Sequence, residues 1–310
     1  MFRKTGHYLK RLKETFTQID QINNYLTNDL KSPKILTGQI MGRLNSQKDT
    51  INDLSEIEFQ VFSQWGDDGI IQFIINKIDI PHKTFIEFGV ENYRESNTRF
   101  LLVNNKWHGL IIDGSKKNID FVKNDPIYWA THLFAKEAFI TKKNINQLIQ
   151  EEFLEKGYNK QIGVLSIDID GNDYWVWESI NVISPIVIIA EYNALFGNEN
   201  KWTVPYKEDF IRSVEHHSRT YWGASLNAFC HLAKIKGYDF IGCNSNGNNA
   251  YFIKSEANTF FKKLTSSEGF KDSFFREYSE NGERISGLAR RKVIQGLNIF
   301  DLDTNELKVI

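Results

Sequence analysis

Short apolar runs alternate with longer amphipathic stretches through the middle of the chain. The first two runs lie at 85–90 and 110–112 and are separated by a polar turn and a helix-like segment. Strands that alternate with helices in this way are typical of a doubly wound, mostly parallel sheet. Further apolar runs, each predicted to form a strand, lie at 127–134, 162–168, 185–191, 237–243 and 250–253. The last two runs are joined by a turn that contains Asn246 and Gly247, which predicts a hairpin and an antiparallel last strand.

Helical periodicity fills the segments between these strands. Five isoleucines from Ile70 to Ile78 share one helical face, Asp67 or Asp68 fits the N-cap position, and Pro81 ends the run. Further helices are predicted at 117–123, 144–155 and 224–235.

The start of the chain carries a different pattern. Apolar residues repeat there at alternating steps of three and four, which is the a/d spacing of a coiled coil. The repeat consists of Leu9, Leu12, Phe16, Ile19, Asn23, Leu26 and Leu30, with the polar asparagine at an a position. It predicts either a coiled coil at 6–30 that makes the protein a homo-oligomer, or an amphipathic helix packed on its own domain. Residues 31–57 are predicted to be a connector.

Composition narrows the class of protein. The 310 residues are 41% hydrophobic, which is enough for a large core, and the net charge of −1 argues against a broad nucleic-acid surface. Cys230 and Cys243 do not make a disulfide framework. No apolar run approaches the length of a membrane span, and the first residues lack the apolar core of a signal peptide. These features predict a cytoplasmic protein.

The turn after the first strand indicates which ligand the sheet binds. Gly89 stands alone, whereas a dinucleotide site uses several glycines to bring backbone N–H groups onto a pyrophosphate. The same turn carries Glu91 and Glu95, so a pyrophosphate would be poorly received. A cationic, phosphate-free adenosine ligand fits better, and S-adenosylmethionine is the common one. Glu87 is then expected to bind its amine or a water, and Asp113 its ribose hydroxyls; the alternative is an ordinary βαβ unit whose acids face water.

Acids also crowd the end of the fourth strand. Asp168 and Asp170 project to the same side of the chain, so their charges repel unless a proton, a metal or another cation intervenes. The fifth strand ends at Glu191, shortly before Asn193, and its end lies beside that of the fourth in a doubly wound sheet. These carboxylates and the Asn193 carbonyl make an all-oxygen set suited to Mg²⁺ or Mn²⁺. The alternative is that the acids cap helices or face water.

Two of these segments resemble a known family. They are Glu87-Phe88-Gly89 with Asp113, and Asp168-Ile169-Asp170-Gly171. Over residues 60–255 the chain resembles the FkbM-type and related S-adenosylmethionine-dependent methyltransferases. The resemblance implies a seven-stranded sheet and methyl transfer to a hydroxyl or similar group, often on a sugar. It implies that the first segment holds the cofactor and that the strand-four acids face the acceptor. An acid that closes strand four, with an acid and Asn193 that close strand five, also resembles the Mg²⁺ site of catechol-type methyltransferases, although no lysine follows Asp168 as it does in those enzymes.

Further residues are predicted to complete the cofactor site. The helix at 70–78 packs against the first strand and is expected to bring Gln64 and Asp68 to the cofactor's amino-acid tail, unless Asp68 is only a helix cap. The full set predicted to contact the cofactor is Gln64, Asp68, Glu87, Gly89, Glu91, Asn97, Asp113, Gly114, Ser115 and Asp168.

A polar, aromatic insertion at 194–223 is predicted to build the acceptor pocket. Within it, His216 or His217 is the best candidate for a general base, because imidazole titrates near neutral pH, although most histidines have no catalytic role. Asp170 is the third predicted catalytic residue.

The tail carries three arginines before a final apolar run. They are Arg284, Arg290 and Arg291. The tail is predicted either to cover the pocket and bind an anionic substrate, or to form a solvated helix with a closing strand. The chain then divides into an N-terminal helix and connector at 1–57, a catalytic domain at 58–255 that includes the insertion, and a C-terminal extension at 256–310.

These observations together predict a cytoplasmic S-adenosylmethionine-dependent methyltransferase. Its acceptor is expected to be small and polar, such as a sugar, a nucleotide-linked sugar or a glycan precursor, and to receive the methyl group on oxygen. Two other classes stay open. The triplet Asp168-Ile169-Asp170 also fits a metal-dependent glycosyltransferase, although the first turn is a poor diphosphate cradle. A non-catalytic scaffold that binds partners through the sheet and the coiled coil is the other class.

Overall fold

The structure is a computed structural model that describes residues 33–273, 278–280, 283–285 and 287–310. The predicted coiled coil at 6–30 lies outside these residues, so self-association through it stays a prediction. Within the described part of the chain, no helix is both long and apolar enough to cross a bilayer.

Seven strands form one central sheet. The strands of the chain are β1 (Thr84–Phe88), β2 (His108–Asp113), β3 (Leu133–Glu137), β4 (Gln161–Ile167), β5 (Ser184–Glu191), β6 (Trp202–Thr203), β7 (Tyr238–Cys243), β8 (Asn249–Lys254), β9 (Tyr278–Glu280), β10 (Glu283–Ile285), β11 (Asn298–Asp301) and β12 (Glu306–Val309). The central sheet has the order β3-β2-β1-β4-β5-β8-β7, and its neighbouring strands are parallel except in the two pairs that β8 makes. The predicted doubly wound sheet of seven mostly parallel strands with an antiparallel last strand is therefore confirmed.

Helices cover both faces of this sheet. They are α1 (33–46), α2 (Asp67–Lys77), α3 (Arg99–Val103), α4 (Lys116–Asn124), α5 (Pro126–Ala130), α6 (Ile145–Glu152), α7 (Asp173–Ser179), α8 (Arg212–Glu215), α9 (Leu226–Lys236) and α10 (Ser266–Gly269), with 3₁₀ helices at Leu54–Ile57, Leu154–Lys156, Ala194–Phe196 and Gly287–Ile294. One buried apolar cluster lies under α6, α7 and α9, and a second lies on the face covered by α2 and α3. β4 and β5 are buried almost throughout, because a central parallel strand is covered on both faces.

The third strand begins later than the sequence predicts. In the predicted run at 127–134, α5 occupies the start and β3 only the end. The Asp125 carboxylate caps α5 by accepting from the Ile127 N–H at 3.0 Å, and Pro126 lies in the first turn. A capping acid followed by proline favours the start of a helix over a strand. The shift brings residues 138–140 to the carboxyl end of the sheet.

The predicted connector contains a helix, α1. Two glycines within it, Gly38 and Gly42, weaken the helical signal of the sequence, since glycine is a poor helix former. In the structure they face the body of the protein, and a Cβ at Gly38 would lie 2.6 Å from Val61. The opposite face carries a stripe of more than half-exposed apolar residues, Leu36, Ile40 and Leu44. The last two continue the a/d register of the predicted coiled coil, and self-association stays a prediction.

The tail joins the insertion. β11 pairs antiparallel with both β12 and β6, so the two segments share a three-stranded sheet. A closing strand is thus present, although a 3₁₀ helix precedes it where the sequence predicts a solvated helix. Arg290 is buried and donates to the Ser273 carbonyl at 2.8 Å, Arg291 lies 5.2 Å from the centre of the Trp202 ring, and Arg284 lies in β10. Neither Arg290 nor Arg291 lines the cavity described next.

Candidate functional site

A cavity of about 320 Å³ opens at the carboxyl ends of β1, β2 and β4. Open α/β sheets bind ligands at this edge, and the volume suits a small ligand. Its acidic lining residues are Glu87, Glu91, Glu95, Asp113, Asp168 and Asp170, and its amide lining residues are Gln64, Asn97, Asn172, Asn248 and Asn249. No lysine, arginine or histidine of the described chain lines it. The cavity is therefore strongly anionic.

The turn after β1 depends on a glycine for steric reasons. Gly89 has a φ of +70°, and a Cβ at this position would lie 1.6 Å from the Asp168 carbonyl oxygen. Its N–H donates to the Ile112 carbonyl at 3.0 Å. Gly89 thus lets the ends of β1, β2 and β4 approach one another closely, which is a different role from cradling a phosphate.

Glu87 holds the loop that forms one wall of the cavity. Its carboxylate accepts from the Ser96 hydroxyl at 2.5 Å and from the N–H groups of Asn97 at 2.9 Å and Thr98 at 3.0 Å. Burial raises the pKa of Glu87, while these hydrogen bonds act to lower it. Glu87 also lines the cavity, and its predicted contact with the cofactor's amine or a water stays a prediction.

Asp113 lies at the end of β2, where the sequence places it. Its Oδ2 accepts from the Glu91 N–H at 2.8 Å, and its Oδ1 accepts from the Ser115 N–H at 2.8 Å. The carboxylate is thereby fixed at the cavity wall. Ser115, also predicted to touch the cofactor, instead caps α4 by accepting from the Asn118 N–H, whereas Gly114 lines the cavity.

An aromatic side chain missing from the sequence prediction also lines the cavity. Phe139 follows β3, is about half exposed, and lies between Ala138 and Ile140, which line the cavity as well. The Ala138 N–H donates to the Asp113 carbonyl at 3.0 Å, which ties this segment to β2. Position after the third strand is the signal that could have identified Phe139, but the sequence places the end of that strand too early.

The two acids that begin α2 shape the cavity wall from outside. Asp68, predicted to bind the cofactor, does not line the cavity: its Oδ2 accepts from the N–H groups of Val61, Phe62 and Ser63, all at 2.7 Å. Burial raises its pKa to about 6. Gln64, which follows this loop, does line the cavity.

Asp67 has a similar role toward the β7–β8 hairpin. Its Oδ1 accepts from the amides of Asn244 and Asn249, both at 3.0 Å, and from the Tyr251 hydroxyl. Asn248 and Asn249 from this hairpin line the cavity. The N-cap of α2 is Gly66, so neither acid serves as the predicted helix cap.

Three carboxylates meet where β4 and β5 end. Asp168, Asp170 and Glu191 each offer an oxygen, and these oxygens lie within 4.8 Å of one another. Asp170 has a φ of +57° and pairs with Arg212, whose guanidinium lies 5.1 Å from the centre of the Trp222 ring. The proximity of strands four and five matches the sequence prediction, whereas the neutralising arginine comes from the insertion.

Asn193, whose carbonyl is a predicted metal ligand, is hydrogen-bonded within the protein. Its side-chain amide donates to the carbonyls of Thr220 and Trp222 at 2.9 Å and accepts from the Leu195 N–H at 3.1 Å. Its backbone carbonyl accepts from the Phe196 N–H at 3.1 Å. Through these hydrogen bonds Asn193 stabilises the turn after β5.

Asp173 is the buried organiser of the loop after β4. Its two oxygens accept from the Ile169 N–H at 2.7 Å and the Gly171 N–H at 2.9 Å. Burial raises the pKa of Asp173 to about 7, and the nearby Glu191 acts in the same direction. The loop that carries Asp168 and Asp170 is therefore held by a third acid.

The structure does not bring the predicted histidine bases to the cavity. The rings of His216 and His217 lie 4.2 Å apart, and His216 Nδ1 lies 2.7 Å from the Ser218 hydroxyl. Burial and the neighbouring imidazole lower the pKa of His216. From the same insertion, Phe210 lines the cavity.

Comparisons with known proteins give remote structural likenesses alone. No family model and no curated protein matches the chain. A putative caffeoyl-CoA O-methyltransferase from Staphylococcus aureus is 14% identical over 75% of this chain and 99% of its own, with a TM-score of 0.39. An O-methyltransferase from Bacillus cereus in complex with SAH is 11% identical over 71% and 89%, with a TM-score of 0.38. The N-terminal domain of EvdMO1 with SAH bound is 8% identical over 55% and 72%, with a TM-score of 0.33. At these values the likenesses carry no argument about activity.

Proposed function

We propose that the protein is an S-adenosylmethionine-dependent methyltransferase that methylates an oxygen of a small polar acceptor, such as a sugar, a nucleotide-linked sugar or a glycan precursor. The observation that carries this proposal is the charge of the cavity. Six carboxylates line it, and no cationic side chain of the described residues does. Charges interact strongly in a partly buried site, so this lining disfavours a pyrophosphate. It attracts a ligand that carries a sulfonium and an ammonium group.

Separate parts of the lining fit separate parts of this cofactor. Asp113 Oδ2 accepts only one backbone N–H, so it retains a lone pair for a ribose hydroxyl. Phe139 presents an exposed aromatic face to a planar base. The side-chain amides of Gln64 and Asn97 can bond the amino-acid tail. When bound, the cofactor supplies the methyl group, and the residues of the chain hold it in line with the acceptor.

The acceptor is expected beside the loop after β4. Phe210 and Asn172 line this side of the cavity together with Asp168 and Asp170. The Asp170 side chain is half exposed, so a hydroxyl can reach its carboxylate. A carboxylate at this place can accept the hydroxyl proton during transfer, while Arg212 holds it in position.

A divalent cation fits the same corner. The three clustered oxygens of Asp168, Asp170 and Glu191 are of the type that Mg²⁺ and Mn²⁺ prefer. An ion there would supply positive charge beside the acceptor oxygen. This cluster also favours the second candidate, a metal-dependent glycosyltransferase. The methyltransferase is preferred because a sugar diphosphate would face a lining of carboxylates.

Calorimetry with S-adenosylhomocysteine tests the proposal. We expect saturable binding that weakens about ten- to a hundredfold in Asp113→Asn, because a hydrogen bond to a charged group contributes about 1.5–3 kcal/mol. Asp120→Asn, which removes an exposed carboxylate on α4, is the matched control and should bind as the parent does.

Parallel titrations with uridine diphosphate glucose, with and without Mg²⁺, address the second candidate. Binding of the nucleotide sugar without binding of S-adenosylhomocysteine would overturn the methyltransferase proposal. Binding of neither ligand would leave the non-catalytic scaffold as the remaining class.

A further inference from the structure

A second cleft, of about 520 Å³, lies at the opposite edge of the sheet. It is formed by the loops that lead into β1, β2 and β4, so it faces away from the anionic cavity. β1 has five residues, and a strand rises about 3.3 Å per residue, so roughly 17 Å of sheet separates the two sites. The cleft is therefore not an extension of the cavity.

The lining of this cleft is cationic. Lys83, Lys106, His82 and His108 line it, and none of its lining residues is acidic. Neither lysine is within ion-pair distance of a carboxylate in the described part of the chain, whereas many other lysines of the protein are paired. Two positive charges with no internal counter-ion attract an anion from solution.

Both ammonium groups are held by contacts that keep their charge available. Lys106 Nζ donates to the Val103 carbonyl at 2.8 Å, and Lys83 Nζ lies 5.6 Å from the centre of the Trp107 ring. An ammonium group has three donors, so the bond to Val103 leaves two for a ligand. Lys106 itself has a φ of +60°, which a non-glycine residue adopts only where the surrounding structure holds it.

Neutral hydrogen-bonding groups complete the cleft. The His108 ring lies 4.1 Å from the His132 ring, and its Nδ1 lies 3.2 Å from the Tyr158 hydroxyl. Tyr158 and Asn159 form the third side, after Gly157 has turned the chain. The loops are anchored by parallel strands, so these groups are preorganised for a ligand.

We propose that this cleft binds a phosphate-bearing small molecule, either free orthophosphate or a phosphomonoester. The two lysines supply positive charge to phosphate oxygens, and the imidazole and phenol groups supply directed hydrogen bonds. The volume admits a ligand larger than one phosphate group. The proposal is independent of the methyltransferase assignment, because no residue lines both sites.

Calorimetry at low salt in phosphate-free buffer tests this inference with two probes, orthophosphate and glucose 6-phosphate. The parent should bind at least one probe saturably, and the double variant Lys83→Gln/Lys106→Gln should bind it at least tenfold more weakly. Lys234→Gln removes an exposed charge on α9 and is the matched control, which should bind as the parent does. Binding should also weaken as salt rises, since the attraction is largely electrostatic.

The outcomes distinguish the two possible ligands and show whether the two sites bind independently. Tighter binding of glucose 6-phosphate identifies an ester as the ligand, and equal binding identifies the free anion. Saturating S-adenosylhomocysteine should leave phosphate binding unchanged, because it would occupy the other edge of the sheet. The inference is overturned if neither probe binds saturably to the parent, or if the double variant keeps the parent's affinity.

Discussion

The two ends of the central sheet have opposite charge and different construction. At the carboxyl end, six carboxylates line the cavity, and two of them, on Glu87 and Asp113, accept several hydrogen bonds from backbone N–H groups. At the amino end, two lysines and two histidines line an open cleft, and no acid among the described residues lines it. The net charge of −1 does not reveal that acidic and basic side chains are concentrated at opposite ends of the sheet.

The difference shows that the charge of each end is set mainly by loop residues. Four of the six acids come from the loops that leave β1 and β4, and three of the four basic residues come from the loops that lead into β1 and β2. Glu87, Asp113 and His108 lie in the strands themselves, at or near their ends. Each end can therefore change its ligand without changing the fold.

The largest expected difference concerns two glycines, one at each end. Gly89 and Gly157 both have positive φ, +70° and +92°, but a Cβ at Gly89 would meet the Asp168 backbone, whereas one at Gly157 would meet nothing within 4 Å. Gly157→Ala should cost about 1–2 kcal/mol of unfolding free energy, the cost of the left-handed backbone alone. Gly89→Ala should cost more, about 3 kcal/mol or above, because the backbone must also move.

Urea denaturation of both variants measures this difference. Equal losses for the two substitutions would show that the ends of β1 and β4 are less tightly packed than the structure indicates.

A smaller effect is expected from the buried acid of the carboxyl end. Burial raises the pKa of Asp173 to about 7, so the folded state holds a proton that the unfolded state, with a pKa of 3.8, has released. Asp173 therefore contributes most to stability at low pH and loses that contribution as pH rises from about 4 to 7. Asp173→Asn lacks this dependence, so its stability relative to the parent should rise over that window, by up to about 1.4 kcal/mol for each unit by which the pKa is raised.

Denaturation at several pH values gives the comparison, with Asp120→Asn as an exposed control. A difference between parent and Asp173→Asn that does not change with pH would contradict the raised pKa.

The smallest effect is expected at the amino end of the sheet, where the pH dependence of stability has the opposite sign. Burial, followed by the neighbouring His132, lowers the pKa of His108 below its usual 6.5, so the folded state resists protonation and stability falls as pH drops through that range. Orthophosphate in the cleft should raise this pKa, because an anion favours the imidazolium form.

Titration of the histidine resonances by NMR measures this shift directly. His231 on α9 is a control that should not respond to orthophosphate, and S-adenosylhomocysteine should move neither resonance. An unchanged His108 in the presence of saturating orthophosphate would place the anion elsewhere.

Periodicity and turn chemistry by themselves determined most of the fold. The apolar runs located six of the seven strands of the central sheet and misplaced the third, and Asn246-Gly247 predicted the hairpin that closes the sheet. Strand patterns and turn geometry act over a few neighbouring residues, which is why the sequence shows them. The position of Asp113 at the end of β2 was predictable for the same reason, because it follows from the strand pattern alone.

Only the tertiary structure decided what most of the acids do. Asp68, Asp170 and Asp173 are the same residue type, so the sequence alone does not distinguish their roles. In the structure, Asp68 and Asp173 are buried and accept from backbone N–H groups, whereas Asp170 pairs with Arg212 from the insertion. Those partners are brought together by chain folding, which no local pattern encodes. The cationic cleft escaped prediction for the same reason, because Lys83, Lys106 and His108 become neighbours only when β1 and β2 lie side by side in the sheet.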